Sequence, residues 1–294
     1  MSEQKGIKSF LSNLFYPLKV SIEFLQNNYK GIIVLLILLL IAGILSKEKQ
    51  NANLITIYLK GTILDPEPTL RQIDEAAKKQ YKGVLFVIDS PGGAVAPSIE
   101  ISQAIKRLAA KKPVVAYAAG TLASGSYYSA IWAKKIYANP GSIVGSIGVI
   151  FEVPVIKGVL DKVGVTPEVV KMGKYKEVGT PLRPWKDFEK EEIKKVIAST
   201  YDMFVKDVCK ARGLRYEDKE KFADAHIFTA IQAQKVGLID KVATIYEAKK
   251  AVQKLAKVKH PRWKKPTPIE LLVDRLAQKS ASYLASFLWG MKLF

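Results

Sequence analysis

The sequence predicts an α/β body with a largely parallel sheet, preceded by a single transmembrane helix. Three observations lead there. From residue 54 onward, short runs rich in Val, Ile and Leu alternate with segments whose apolar residues recur at helical spacing, the pattern of strand–helix–strand units. Turns built on Pro and Gly separate these segments. Upstream, residues 31–45 read Gly-Ile-Ile-Val-Leu-Leu-Ile-Leu-Leu-Leu-Ile-Ala-Gly-Ile-Leu without a charge.

The first 30 residues carry Ile7, Phe10, Leu11, Leu14, Phe15, Leu18, Ile22 and Leu25 at helical spacing. That suits either an amphipathic helix on a membrane surface, kinked at Pro17, or an ordinary core-facing helix. The charge-free run is shorter than the roughly 20 residues a span usually needs. Asn27–Tyr29 and Ser46 complete it at the interfaces, giving an anchor over 31–46. A cleaved signal is disfavoured, because the polar region before the run is too long and no small-residue cleavage site follows. Lysines flank both ends (Lys5, Lys8, Lys19, Lys30; Lys47, Lys49, Lys60), so charge does not set the orientation.

A linker over 47–53 leads into the body, 54–258. Strands are expected at Leu54–Leu59, Val84–Ile88, Pro113–Ala119, Ile136–Ala138, Ile147–Ile150 and Pro167–Met172. Helices are expected at Leu70–Lys79, Ser98–Ala110, Tyr127–Trp132, Val155–Val163 and Phe188–Ala211. Gly237–Asp240 turns into a last short strand. A basic, Pro-containing break opens the tail, 259–294. There Ile269, Leu272, Leu276, Tyr283, Phe287 and Leu288 form a second amphipathic pattern, suited to packing on the body, to a membrane or to another copy.

The 46 Lys and Arg residues give a net charge of +19, yet they are scattered. No zinc-finger, RNA-binding or basic-heptad signature accompanies them, so anionic lipid or a solubilising surface explains the charge better than nucleic acid. The one cysteine, Cys209, excludes an internal disulfide and a cysteine-based metal site.

Ser124 stands where a strand hands over to a helix, in Ala123-Ser124-Gly125-Ser126-Tyr127-Tyr128. Amide groups there lack helical partners. In isolation a helix cap is the commoner role for such a serine, and a nucleophile the other. Asp89-Ser90-Pro91-Gly92-Gly93 ends a strand in a tight turn whose glycines let backbone amides approach a ligand. A serine nucleophile needs a base. His226 and His260 lack an acidic partner other than Asp224. A lysine must be made neutral at working pH, against an ordinary pKa of about 10.4. Lys171, Lys174, Lys176 and Lys186 lie near one another in the sequence, and composition does not choose among them.

These motifs, with Gly145-Ser146-Ile147-Gly148-Val149 and Gly173-Lys174-Tyr175-Lys176, resemble the signal peptide peptidase A family of bacterial membrane serine proteases, in its short single-domain form. The resemblance runs from about Leu54 to Val242. It implies a ClpP/crotonase-like fold and a Ser–Lys dyad, with Ser124 as nucleophile, Lys176 as general base and Ser146 orienting the lysine. It implies an oxyanion hole from the amides of Gly93 and Gly125, and main-chain binding of an extended substrate along Gly92 and Ala94. No metal or cofactor is implied. Peptide substrates, above all signal-peptide remnants, a lipid membrane and a ring-shaped homo-oligomer are implied, with the body outside the cytoplasm on the cell's inner membrane. The sequence departs from the family at Ser126, a change expected to matter little, and at Asp224-Ala225-His226. A silent membrane scaffold of the same fold and an acyl-CoA enzyme are the rival readings.

Overall fold

The structure, a computed structural model, describes residues 26–35, 38 and 52–266. The chain divides into two compact units, one of residues 1–51 with 265–294, the other Ala52–Lys264. Residues 26–35 are helical. The expected span over 31–46 lies mostly outside the described residues, and among these no helix is long and apolar enough to cross a membrane.

The body is built on strands β1 (Leu54–Lys60), β2 (Gly83–Ser90), β3 (Val114–Ala123), β4 (Lys135–Ala138) and β7 (Lys241–Val242). They lie side by side in that order, every pair parallel. β2 lies between β1 and β3, and all of Val84–Ile88 is buried, which is why it reads as an unbroken apolar run. Its residues divide by twos. Val84, Phe86 and Ile88 face one core with Ile73, Ile101 and Ile105, while Leu85 and Val87 face a second with Val115, Ala248 and Val252. Helices α1 (Glu67–Ala77) and α2 (Val95–Ala109) supply the first core; α8 (Ile245–Leu255) supplies the second. Each large side chain so buried contributes about 1.5–3 kcal/mol.

Two departures from the expected elements shape the site. Gly120 was expected to end the third strand, yet β3 continues to Ala123. A Cβ there would lie 2.5 Å from the Asp89 carboxylate, so the glycine marks a close approach rather than a break. Beyond Gly120, β3 leaves β4 and pairs with β5 (Ile143–Gly145), which pairs antiparallel with β6 (Ile227–Thr229). The strands expected at Ile147–Ile150 and Pro167–Met172 do not form. Over 150–175 the only helix is α4 (Lys157–Lys162), which buries nothing; Val170 and Met172 are almost fully exposed. The remaining helices are α3 (Gly125–Ala130), α5 (Asp187–Arg212), α6 (Lys219–Phe222) and α7 (Ala230–Lys235).

The body closes on itself at its ends. Asn53 and Leu54 donate backbone bonds to the Arg262 carbonyl at 2.8 and 3.2 Å, and Lys264 returns one to Leu54 at 2.8 Å. The Asn53 side chain adds bonds to His260 and Arg262.

Candidate active site

Ser124 sits between β3 and α3 with φ 53° and ψ −126°. Those are the angles of the first central residue of a type II′ turn, a place glycine dominates. A serine held there stores about 1–3 kcal/mol of strain. The turn is pinned at both ends, by the Ser124 amide on the Gly145 carbonyl at 2.9 Å and by the Tyr128 amide on the Ser124 carbonyl at 3.0 Å. Although Ser124 occupies the N-cap position of α3, its side chain makes no capping bond. The hydroxyl is therefore left for other chemistry, which resolves the choice the sequence left open against the cap.

The Pro91–Gly93 turn packs directly on this corner. A Cβ on Gly92 would lie 2.7 Å from the Gly125 nitrogen and 2.9 Å from the Ser124 Cβ. One on Gly125 would strike the Ser98 Oγ at 2.2 Å and stand 3.4 Å from the Gly93 nitrogen. Among the described residues, neither the Gly93 nor the Gly125 amide donates to a protein acceptor. Two free N–H groups thus stand beside the serine, as an oxyanion hole requires.

Gly92 and Ala94, expected to bind a substrate strand, have their own donors committed within the chain. The Gly92 amide donates to the Ser90 Oγ at 3.2 Å, and the Ala94 amide to the Ile63 carbonyl at 2.8 Å. Ile63 pairs in parallel with this edge. The groups of Gly93 are those left facing outward.

Ser126, the expected silent departure, is fully buried and joins the two turns. Its hydroxyl donates to the Ser90 carbonyl at 2.6 Å and accepts from the Ala123 amide at 2.9 Å.

Ser146 follows β5, also at positive φ (50°), and its amide donates to the His226 carbonyl at 2.7 Å. The Asp224–His226 turn therefore buttresses Ser146 through its backbone. Ala225 completes this by donating to Ile147 at 2.9 Å. The exposed His226 ring does not line the site.

Lys176, the expected base, is not among the residues that line the cleft beside Ser124. It is exposed and, among the described residues, makes no side-chain hydrogen bond. Its turn is nonetheless anchored. Glu177, next in sequence, pairs with Lys171 at 2.6 Å and Arg183 at 2.9 Å. Both cations hold its carboxyl below the ordinary range, Arg183 most strongly.

The cleft beside Ser124 is lined by Val95, Ile99, Tyr128, Val149, Ile150, Met203 and Phe204 among others, and none of the lining residues is charged. Sequence reading missed its α5 side, because Thr200, Met203 and Phe204 carry no local signal. Their helical spacing was legible, but which side faced the serine was not.

A Methanocaldococcus jannaschii protein provisionally named a protease is 43% identical over 180 residues, 61% of this chain and 58% of its own. The chloroplast serine protease SPPA of Arabidopsis thaliana is 34% identical over 69% of this chain, which spans 29% of that longer protein. A mutant of ClpP1 from Listeria monocytogenes aligns at 16% identity over 66% of this chain and 93% of its own, with a TM-score of 0.46. The sequence model of peptidase family S49 matches residues 106–259. Since that match covers just over half of the chain, the chain belongs to peptidase family S49.

Proposed function

We infer that this peptidase is membrane-anchored through residues 31–46 and cleaves small apolar peptides, remnants of released signal peptides among them, by a Ser124–Lys176 dyad. The observation that carries the reading is the uncapped Ser124 hydroxyl on a strained turn beside two unused glycine amides. In the reaction the Lys176 amine accepts the Ser124 proton as Oγ attacks the peptide carbonyl. The oxyanion that forms accepts bonds from the Gly93 and Gly125 amides. Collapse expels the amine, protonated by Lys176, and water then releases the acyl group by the same steps. Ser146 would orient the lysine.

The exposure of Lys176 asks for one more element. A lysine base must be desolvated, and the segment leading to it displays Ile150, Val159, Val163, Val170 and Met172 to solvent. Packing of that segment on a second copy, as in a ring, would cover those side chains and carry Lys176 into a closed site. The uncharged cleft fits apolar residues of signal-peptide type. The amphipathic patterns at both ends suit assembly at a membrane, with the body outside the cytoplasm.

The position of Lys176 off the cleft is what favours the rival, a silent scaffold. A fluorophosphonate probe separates the two. Labelling of Ser124 in the wild type, lost in Ser124→Ala and strongly reduced in Lys176→Ala, supports the dyad; an unlabelled wild-type serine rejects it.

A further inference from the structure

One residue joins the nucleophile turn to the helix that completes the cleft. Tyr128 lies one helical turn after Ser124 and donates its backbone amide to the Ser124 carbonyl at 3.0 Å. Its ring meets Phe204 edge-on, with centroids 4.9 Å apart and planes at 85°. Its hydroxyl donates to the carboxylate of Asp207, one turn further along α5. Both Tyr128 and Phe204 line the cleft, together with Thr200 and Met203 of the same helix. α5 is thus tied to the serine corner by a ring contact and a charge-assisted bond, both made by one side chain. Burial first, and then the Asp207 carboxylate, raise the phenol above its ordinary range, so it remains a donor throughout the neutral range.

We propose that Tyr128 determines substrate size: its hydroxyl, held on Asp207, fixes how far α5 stands from Ser124, and so how large a side chain enters the cleft beside the scissile bond. The proposal rests on the reading of Ser124 as nucleophile. Removing the hydroxyl leaves the ring on Phe204 but frees a half-buried carboxylate, which then turns to water. The helix is released outward at Met203, the one of its cleft residues that is already exposed. Small side chains then lose contacts, and large ones gain room.

The test uses the full-length chain in detergent micelles and two peptides that differ only in Ala or Phe before the cleaved bond. Tyr128→Phe and Asp207→Ala should each shift the Ala-to-Phe ratio of kcat/KM about tenfold toward Phe, the scale on which apolar pockets discriminate. The shift should lie mainly in KM. Asp207→Asn, which still offers an acceptor oxygen, should restore the ratio to within about twofold of wild type, a loss of roughly 0.4 kcal/mol at most. An equal fall for both peptides would reduce Tyr128 to a structural role and overturn the proposal, as would an unchanged ratio. Rates of Ser124 modification by ethyl and benzyl fluorophosphonates give the same comparison without turnover. A wild type labelled at Ser124 with an unmoved ratio sinks the size-setting role alone. A wild type that is never labelled sinks the nucleophile, and this proposal with it.

Discussion

Arg183 grips the buried carboxylate of Glu189 with both terminal nitrogens, each 2.8 Å from a different oxygen. The Lys186 amide caps the same group at 2.7 Å, and Arg183 also reaches Glu177 beside Lys176. The start of α5 and the lysine turn are thereby fastened together by one guanidinium, in the two-pronged geometry that only arginine offers.

Acid should undo this fastening in a defined window. The Arg183 bond, and then the Lys186 amide, hold Glu189 at about 2, below its ordinary 4.5. A lowered folded value stabilises above the unfolded value, and the gain fades as pH falls from there through the folded one. Denaturation of wild type and Arg183→Met should therefore differ most at neutral pH and converge between about pH 4.5 and 2. A deficit that stays constant with pH would mean the ion pair is not its source.

Gly93→Ala should disable the oxyanion site without unfolding the chain. Its Cβ would stand 2.2 Å from the Ile63 carbonyl oxygen and 2.6 Å from the Ile63 nitrogen. Both are backbone atoms, so the amide itself must move. Loss of one oxyanion donor costs about 10²–10³-fold in kcat. Peptide turnover measures it, with Gly141→Ala as the control, since nothing lies within 3.4 Å of that added carbon.

Strain at Ser124 should be visible as a gain on its removal. Ser124→Gly is expected to raise stability by about 1–3 kcal/mol while abolishing turnover. Ser124→Ala should abolish turnover with no such gain. Calorimetry of the pair decides, and equal melting temperatures would show that the corner is unstrained.

Ser124→Ala and Lys176→Ala chains, each inactive alone, should recover part of the wild-type activity when unfolded together and reassembled. The cause is the placement of Lys176 off its own chain's cleft. No recovery in assemblies proven to be mixed would place both groups of a working site on one chain.

How much was legible follows from burial. β1, β2 and β3 were readable because strands covered on both faces must be apolar throughout. The serine turn was readable because glycine and serine cluster where the backbone bends sharply. β5 and β6, three residues each, were not, since their pairing is settled by distant partners. The misread strands of 147–172 are the instructive failure. Val163, Val165, Val169 and Val170 carry the composition of a buried segment, but one chain leaves all four exposed. The α5 side of the cleft was invisible for another reason: Phe204 lies eighty positions past Ser124, and no periodicity reveals which neighbour a helix will meet.

The seam joining Asn53 and Leu54 to Arg262 and Lys264 has a mechanical consequence. Because the body's entry and exit are stitched to each other, a force drawing the two ends apart is taken first by this small seam at the rim of β1. The corner that carries Ser124, anchored deep at the far end of β3, would feel no load until the stitching had torn.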